Sequence, residues 1–354
     1  MLPPSEGFQT DRSTGSLVAE YDGVICDLDG VVYRGDAAVP GAVATLRDVL
    51  ASGVGVVFAT NNASRSPEEV SRHLREIGVE DPGWSVVTSS QSAAAYLAKR
   101  LPPGASVLAV GGPGVSEALA EAGLGPVRVP DVADTTVVAI VQGLGMEVTW
   151  RELAAVGNLV RRGVPWVATN RDLTFPTADG PAPGNGALVA AVRTATTVDP
   201  HVTGKPGPAL FDLARARLDT RHDATLVCGD RLDTDIAGAN AARLDSLFVL
   251  SGASRLQELA FAPDCQRPTY VARDLTGLLK SPLRLRQTPG DLVEISPDGF
   301  VYVREGDSGR DLLQAVVTTA WAALDDGHTI SSNAAMWRGL ERQLGVDSAP
   351  ITLA

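Results

Sequence analysis

The feature that most constrains this chain is an alternation. Short apolar runs ending in small polar or acidic residues are separated by stretches with helical spacing. Gly23–Leu28, Val54–Ala59 and Val86–Thr88 read as buried strands, because polar residues are nearly absent from either face. Between them, Gly41–Ser52 and Pro67–Ile77 read as helices. Ser66 supplies an N-cap, Pro67 a first-turn residue with preset φ, and Gly78 a stop. Strands joined by helical crossovers lie parallel, since only antiparallel strands can be joined by a tight turn. The expected fold class is α/β, a doubly wound parallel sheet with helices on both faces.

The alternation continues with a different texture from about Gln91. Ser106–Val110, Thr136–Val141 and Val164–Thr169 read as strands, and Val115–Ala122 and Trp150–Arg161 as helices. A long loop follows, Asn170–Gly186, rich in Pro, Gly, Asp and Thr, of a length uncommon without a function. Strand–helix units resume with Thr225–Cys228, a helix over Asp233–Ala241, and Leu247–Leu250. The C-terminal residues look separate: a hairpin of Asp291–Ile295 and Phe300–Arg304 around Ser296-Pro-Asp-Gly, then helices Asp311–Asp325 and Ala334–Leu344. The first of these helices carries Leu312, Leu313, Val316, Val317, Ala320, Trp321 and Leu324 at helical spacing. That stripe has to be buried, so the module is expected to dock on the rest of the chain or on a second subunit in a homodimer. Residues 1–20 are polar and read as a flexible arm.

Chemistry gathers at the strand ends. In Asp27-Leu28-Asp29-Gly30, carboxylates two apart on a strand face the same way. In parallel sheets that edge is where ligands bind; an ordinary Asp-Gly turn is the plainer reading. Ala59-Thr60-Asn61-Asn62 ends another strand with a hydroxyl and N–H groups suited to phosphate oxygens, or with a pair of Asx turns. Only three of the 30 basic residues are Lys, which draws notice to Lys205 in Thr203-Gly204-Lys205-Pro206-Gly207, a point charge beside a tight turn. Finally, Cys228-Gly229-Asp230-Arg231-Leu232-Asp233-Thr234-Asp235 brings three carboxylates together. They repel one another unless a cation or hydrogen-bond donors intervene, and they suit a hard ion such as Mg²⁺.

Composition excludes other classes. A net charge of −12 repels nucleic acid and anionic membranes. No run of 18 apolar residues offers a membrane span, and no signal peptide opens the sequence, so a cytoplasmic protein is expected. Three cysteines without CxxC indicate neither a disulfide framework nor a zinc module; Cys26 and Cys228 read as core residues. The rival to catalysis is a nucleotide-binding module: Val110-Gly111-Gly112-Pro113-Gly114 opens a helix after a strand, but Glu117 stands where the third glycine belongs.

Taken in order, the four segments resemble the motifs of the haloacid dehalogenase superfamily, and Asp-Leu-Asp-Gly-Val-Val-Tyr-Arg-Gly with Ala-Thr-Asn-Asn resembles its type IIA phosphatases, over about residues 21–280. The resemblance implies a Rossmann-like core. The interval from Thr60 to Lys205 is too long for one crossover and implies an α/β cap inserted between the second and third motifs. The expected organisation is an arm over 1–20, core over 21–88, cap over 89–187, core again over 188–282, and a small α+β module over 283–354. It further implies a Mg²⁺-dependent phosphoric monoester hydrolase. Asp27 would be the nucleophile and Asp29 the general acid and base. Thr60, Asn61, Asn62 and Lys205 would bind phosphate. Asp27, the carbonyl of Asp29, Asp230 and Asp235 would serve the metal, and Asn170, Arg171 and Asp172 in the cap loop the substrate. The partner is a small phosphorylated metabolite. Family substrates include glycerol 3-phosphate, phosphoglycolate, nucleotides and aryl phosphates, and with its C-terminal module the chain looks closest to actinobacterial members acting on glycerol 3-phosphate.

Overall fold

The computed structural model describes residues 15–80, 82–129, 136–177, 180–281, 285, 292–303 and 310–346. At its centre is a six-stranded parallel sheet in the spatial order Tyr270–Ala272, Asp245–Val249, Thr225–Gly229, Gly23–Cys26, Gly55–Thr60, Trp84–Thr88. Gly23–Cys26 lies in the middle, paired with Thr225–Cys228 on one side and Gly55–Phe58 on the other. Alternate side chains enter opposite layers. Val24, Cys26, Val56 and Phe58 pack with Leu46 and Leu74 on one face, while Ile25, Val57 and Val227 pack with Leu210 and Phe211 on the other. Each such buried side chain contributes about 1.5–3 kcal/mol relative to exposure. The helix over Pro67–Glu76 starts as expected, with Ser66 and Glu69 forming a reciprocal capping box.

A second, five-stranded parallel sheet has the order His201–Val202, Trp166–Ala168, Ala139–Gln142, Ser106–Val110, Gly125–Val127. It corrects the boundary expected at 187. That position falls inside the helix Asn185–Thr196, and the sheet closes only with His201–Val202, a two-residue strand too short to show periodicity. The loop expected over Asn170–Gly186 is also corrected in part. Thr174–Thr177 pairs antiparallel with Gly180–Pro183. Prolines mask such a ribbon in the sequence, yet a two-stranded ribbon tolerates them because its outer groups need no partner.

The C-terminal segment forms the hairpin Val293–Ile295 and Val301–Val303 and the helices Arg310–Asp325 and Ala334–Leu344; the expected hairpin ends Asp291 and Arg304 lie outside the described residues. Its stripe docks on this same chain. Leu312, Leu313, Val316, Val317 and Trp321 share one apolar cluster with Phe248, Leu250, Leu256 and Leu259 of the first unit. Trp321 Nε1 also donates to the Leu259 carbonyl at 2.8 Å. The stripe thus requires no second subunit. The expected mobile arm is corrected at its end: Leu17–Glu20 is a 3₁₀ turn, with Leu17 and Val18 buried and the Leu17 N–H on the Lys280 carbonyl at 2.7 Å. Residues 1–14 lie outside the described residues. Among the described residues, no helix is long and apolar enough to cross a membrane.

Candidate active site

The four singled-out segments meet at the carboxyl edge of the central sheet. The Asp27 N–H donates to the Cys228 carbonyl at 2.8 Å, which carries the strand pairing one residue further and fixes the Asp27 backbone at the rim. Lys205 Nζ sits 2.5 Å from Asp27 Oδ1 and 2.7 Å from Asp235 Oδ1, and the lysine is only 3% exposed. Asp235 reaches this position because Leu232–Ile236 is a π-helical turn rather than the start of the expected α-helix; regular helix begins only at Ala237. The Asp235 Oδ2 accepts the Arg231 N–H at 3.1 Å and closes that turn. Thr60 is buried, its hydroxyl accepting the Asn62 N–H at 3.0 Å.

Electrostatics follow from crowding carboxylates in a dry place. Burial, then the Asp235 charge, raises Asp27 to about 7 against the counter-pull of Lys205. Asp29 is also raised, by loss of solvation, with Arg65 and Lys205 opposing. Asp230 is pushed well above the carboxylate range by burial and by Asp235 and Asp27. Burial depresses Lys205, but Asp235 and Asp27 more than offset this and hold it charged.

The residues fit a divalent cation. Asp27, Asp230 and Asp235 each bring a carboxylate oxygen within 4.8 Å of the others. Asp230 Oδ2 accepts the Ala253 N–H at 2.6 Å, while its Oδ1 is buried with no hydrogen-bond partner. A buried carboxylate oxygen without a donor, among other carboxylates, suits a hard cation. The Asp29 side chain is outside this group, and its expected contribution is the backbone carbonyl. Asp233, left open by the sequence, pairs with Arg231 in a two-pronged bond at 3.1 and 2.8 Å.

These groups floor a cavity of about 390 Å³. Thr60, Asn61, Asn62, Asn170 and Asp172 line it with the three acidic residues and Lys205. Arg171 does not: it turns to Asp199 at 2.5 Å. Asn62 spends its Oδ1 on the Ser64 N–H and hydroxyl, at 2.9 and 2.7 Å, so its side chain serves the local turn. The sequence reading assigned no role to Arg34, Leu144, Phe175, Asn185 and Arg231, which also line the cavity. Arg34 and Arg231 stand inside quoted motifs, and Phe175 and Asn185 inside the loop singled out over Asn170–Gly186; Leu144 carried no local signal. The glycines of the rival nucleotide motif have another use: a Cβ on Gly112 would stand 2.6 Å from the Ser64 carbonyl, so the motif is where the second unit presses on the first.

The sequence matches the haloacid dehalogenase-like hydrolase family over residues 24–125 and a second HAD-hydrolase-like profile over 202–278. It is 44% identical over 319 residues to the D-glycerol 3-phosphate phosphatase of Mycobacterium tuberculosis, covering 87% of this chain and 88% of the relative. The chain belongs to the haloacid dehalogenase-like hydrolases. Within them it is a type IIA phosphatase, and its second sheet is the cap. The acid sugar phosphatase of Staphylococcus aureus is 34% identical over 256 residues, covering 72% of this chain and 96% of that protein. Among solved structures, the glycerol phosphate phosphatase Rv1692 from M. tuberculosis in complex with magnesium superposes with a TM-score of 0.82 at 42% identity, covering 93% of this chain and 99% of that one. The 4-nitrophenylphosphatase from Thermotoga maritima gives 0.68 at 27% identity, covering 74% and 97%. The Staphylococcus and Thermotoga proteins each leave more than a quarter of this chain uncovered.

Proposed function

We propose that this phosphatase hydrolyses glycerol 3-phosphate by way of an acyl phosphate on Asp27. The observation that carries the chemistry is the placement of Lys205 between Asp27 and Asp235 beside the unpaired Asp230 oxygen: a nucleophile, a fixed cation and a metal seat at one cavity floor. The observation that carries the substrate is the extent of the likeness to the mycobacterial D-glycerol 3-phosphate phosphatase.

Asp27 attacks phosphorus while the bond to the leaving alkoxide breaks, and the Asp29 carboxyl gives that oxygen its proton. Burial raises the Asp29 pKa, the direction that favours the protonated form this step uses. Asp29, now a carboxylate, takes a proton from water, whose oxygen attacks the aspartyl phosphate and frees phosphate and Asp27. Lys205, the Thr60 hydroxyl and the Asn61 N–H meet the equatorial oxygens, where transition-state charge spreads. Asp27, Asp230 and the Asp29 carbonyl, with Asp235 beside them, would hold Mg²⁺, which would supply positive charge to offset repulsion between the carboxylate and the phosphate dianion.

The test is phosphate release with Mg²⁺ across glycerol 3-phosphate, phosphoglycolate, a nucleoside monophosphate and p-nitrophenyl phosphate. Glycerol 3-phosphate is expected to have the highest kcat/KM. A tenfold preference for any of the others overturns the substrate assignment.

A further inference from the structure

Asn61 entered the sequence reading as a phosphate ligand, yet its side chain has no capacity left for phosphate. Its Oδ1 accepts the Lys205 N–H at 2.8 Å, and its Nδ2 donates to the Lys205 carbonyl at 3.2 Å. One carboxamide thus clamps both backbone groups of the lysine whose ammonium meets Asp27. The same Nδ2 donates to Asp172 Oδ2 of the cap loop, also at 3.2 Å. The Asn61 carbonyl accepts the Asn170 Nδ2 and the Ser89 hydroxyl, each at 2.7 Å. The lysine loop is pressed into this junction: a Cβ on Gly204 would stand 2.6 Å from Asn61 Oδ1 and 2.2 Å from the Thr169 carbonyl, so only glycine leaves room for both. Arg231 Nη1 approaches the other Asp172 oxygen at 3.9 Å.

We infer that Asn61 is a positioning residue that couples seating of the cap loop to the placement of Lys205. Withdrawing Asp172 removes one of the two acceptors of Asn61 Nδ2, and the remaining bonds lie on the lysine backbone itself. The carboxamide is planar and rigid, so a tilt at its cap side shifts the lysine loop at its core side. Catalysis is then tied to closure, because the ammonium takes its place between Asp27 and Asp235 only when the cap loop is down. This deepens the phosphatase reading and rests on it.

An exchange of partners tests the coupling. Asn61→Asp keeps the backbone N–H for phosphate but sets a carboxylate against Asp172 and removes both Nδ2 donors. Adding Asp172→Asn returns a donor to the cap contact. In the full-length enzyme with Mg²⁺, Asn61→Asp is expected to lower kcat about 100-fold, the scale of a misplacement near 1 Å, with KM changed far less. The double variant is expected to recover at least about tenfold over Asn61→Asp, while Asp172→Asn alone lowers kcat less than Asn61→Asp does, since an amide pair still bonds. Recovery on exchange is an effect that a merely structural residue does not produce. If the double variant is no better than Asn61→Asp, or if Asn61→Asp keeps the parent kcat, the coupling is wrong. Should Asn61→Asp fold poorly, as read by its melting temperature, Asn61→Ala at parental kcat overturns the inference equally. Each variant is assayed on glycerol 3-phosphate and p-nitrophenyl phosphate. An enzyme active only on the aryl ester overturns the substrate assignment, and the exchange is then read on that ester.

Discussion

The cap and the C-terminal module are both additions to the same sheet, and they are attached in opposite ways. The cap keeps its own apolar clusters, around Val107, Ala109 and Leu119 on one face of its sheet and Leu108, Ile140 and Trp166 on the other. At the cavity it meets the core through amides and carboxylates: Asn170, Asp172 and Asn61. Among the described residues, the module has no apolar core apart from the one it shares with Phe248, Leu256 and Leu259. Polar contacts lose little when opened to water, because water replaces them. Apolar contacts lose their whole stabilisation. The cap is therefore built to part from the core and the module to stay on it.

The comparison can be broken from several sides. The largest effect belongs to the floor that both additions surround. Asp27→Asn is expected to lower phosphate release at least 1,000-fold, about 4 kcal/mol in barrier, with the fold intact, because an amide cannot form the acyl phosphate. Activity within tenfold of the parent removes Asp27 as nucleophile. Next comes the module. Trp321 is 6% exposed, with its ring under Arg267. Trp321→Ala is expected to cost about 3–5 kcal/mol of stability while kcat of the folded enzyme stays within a few-fold. Denaturant unfolding followed with a steady-state assay decides this, and an unchanged midpoint shows that the module is a loose appendage.

Asp172→Ala is expected to act in the reverse sense. Its melting temperature stays within a few degrees, whereas kcat/KM changes unequally for glycerol 3-phosphate and p-nitrophenyl phosphate, by about tenfold in their ratio. An equal change for both esters removes the discriminating role. The smallest effect is at the module's rim, where Arg267 grips Asp325 with two bonds of 2.7 and 2.6 Å. That hydrogen-bonded pairing lowers the Asp325 pKa. A carboxyl lowered on folding stabilises above its unfolded value near 4 and loses that contribution as pH falls through the folded value. The difference in melting temperature between the parent and Asp325→Asn is accordingly expected to be present at pH 7 and to close toward pH 3. A difference that persists at pH 3 assigns the effect to packing instead of charge.

What the sequence disclosed follows the range of the interactions involved. Asp27, Thr60 and Asp230 each terminate an apolar strand, and a strand end in a parallel sheet is written within a few residues, so their convergence was readable. Lys205 was readable because lysine is scarce in this chain. The π-turn that swings Asp235 toward Lys205 was not, since its residues would serve a regular helix equally well. Nor was the clamp of Asn61 on Lys205, which joins side chain to backbone across a separation of 144 residues. The grip of Asp325 on Arg267 was not readable either, since it depends on where a helix lands, a fact no local pattern records.

The pairing of Gly23 with Thr225 at the centre of the main sheet bears on how the chain folds. Contacts this remote in sequence are slow to form, because a long stretch of chain has to be gathered before any bond repays the loss of freedom. An inserted cap that forms early would shorten that search. Its clusters are assembled from residues between Ala63 and Val202, and the Ser92 hydroxyl on the Thr203 carbonyl, at 3.0 Å, draws its entry and exit together. Once the cap has formed, the two halves of the sheet are tethered as though by a short linker. A cap that forms first would act as a splint in time, bringing the nucleophile strand to its partner.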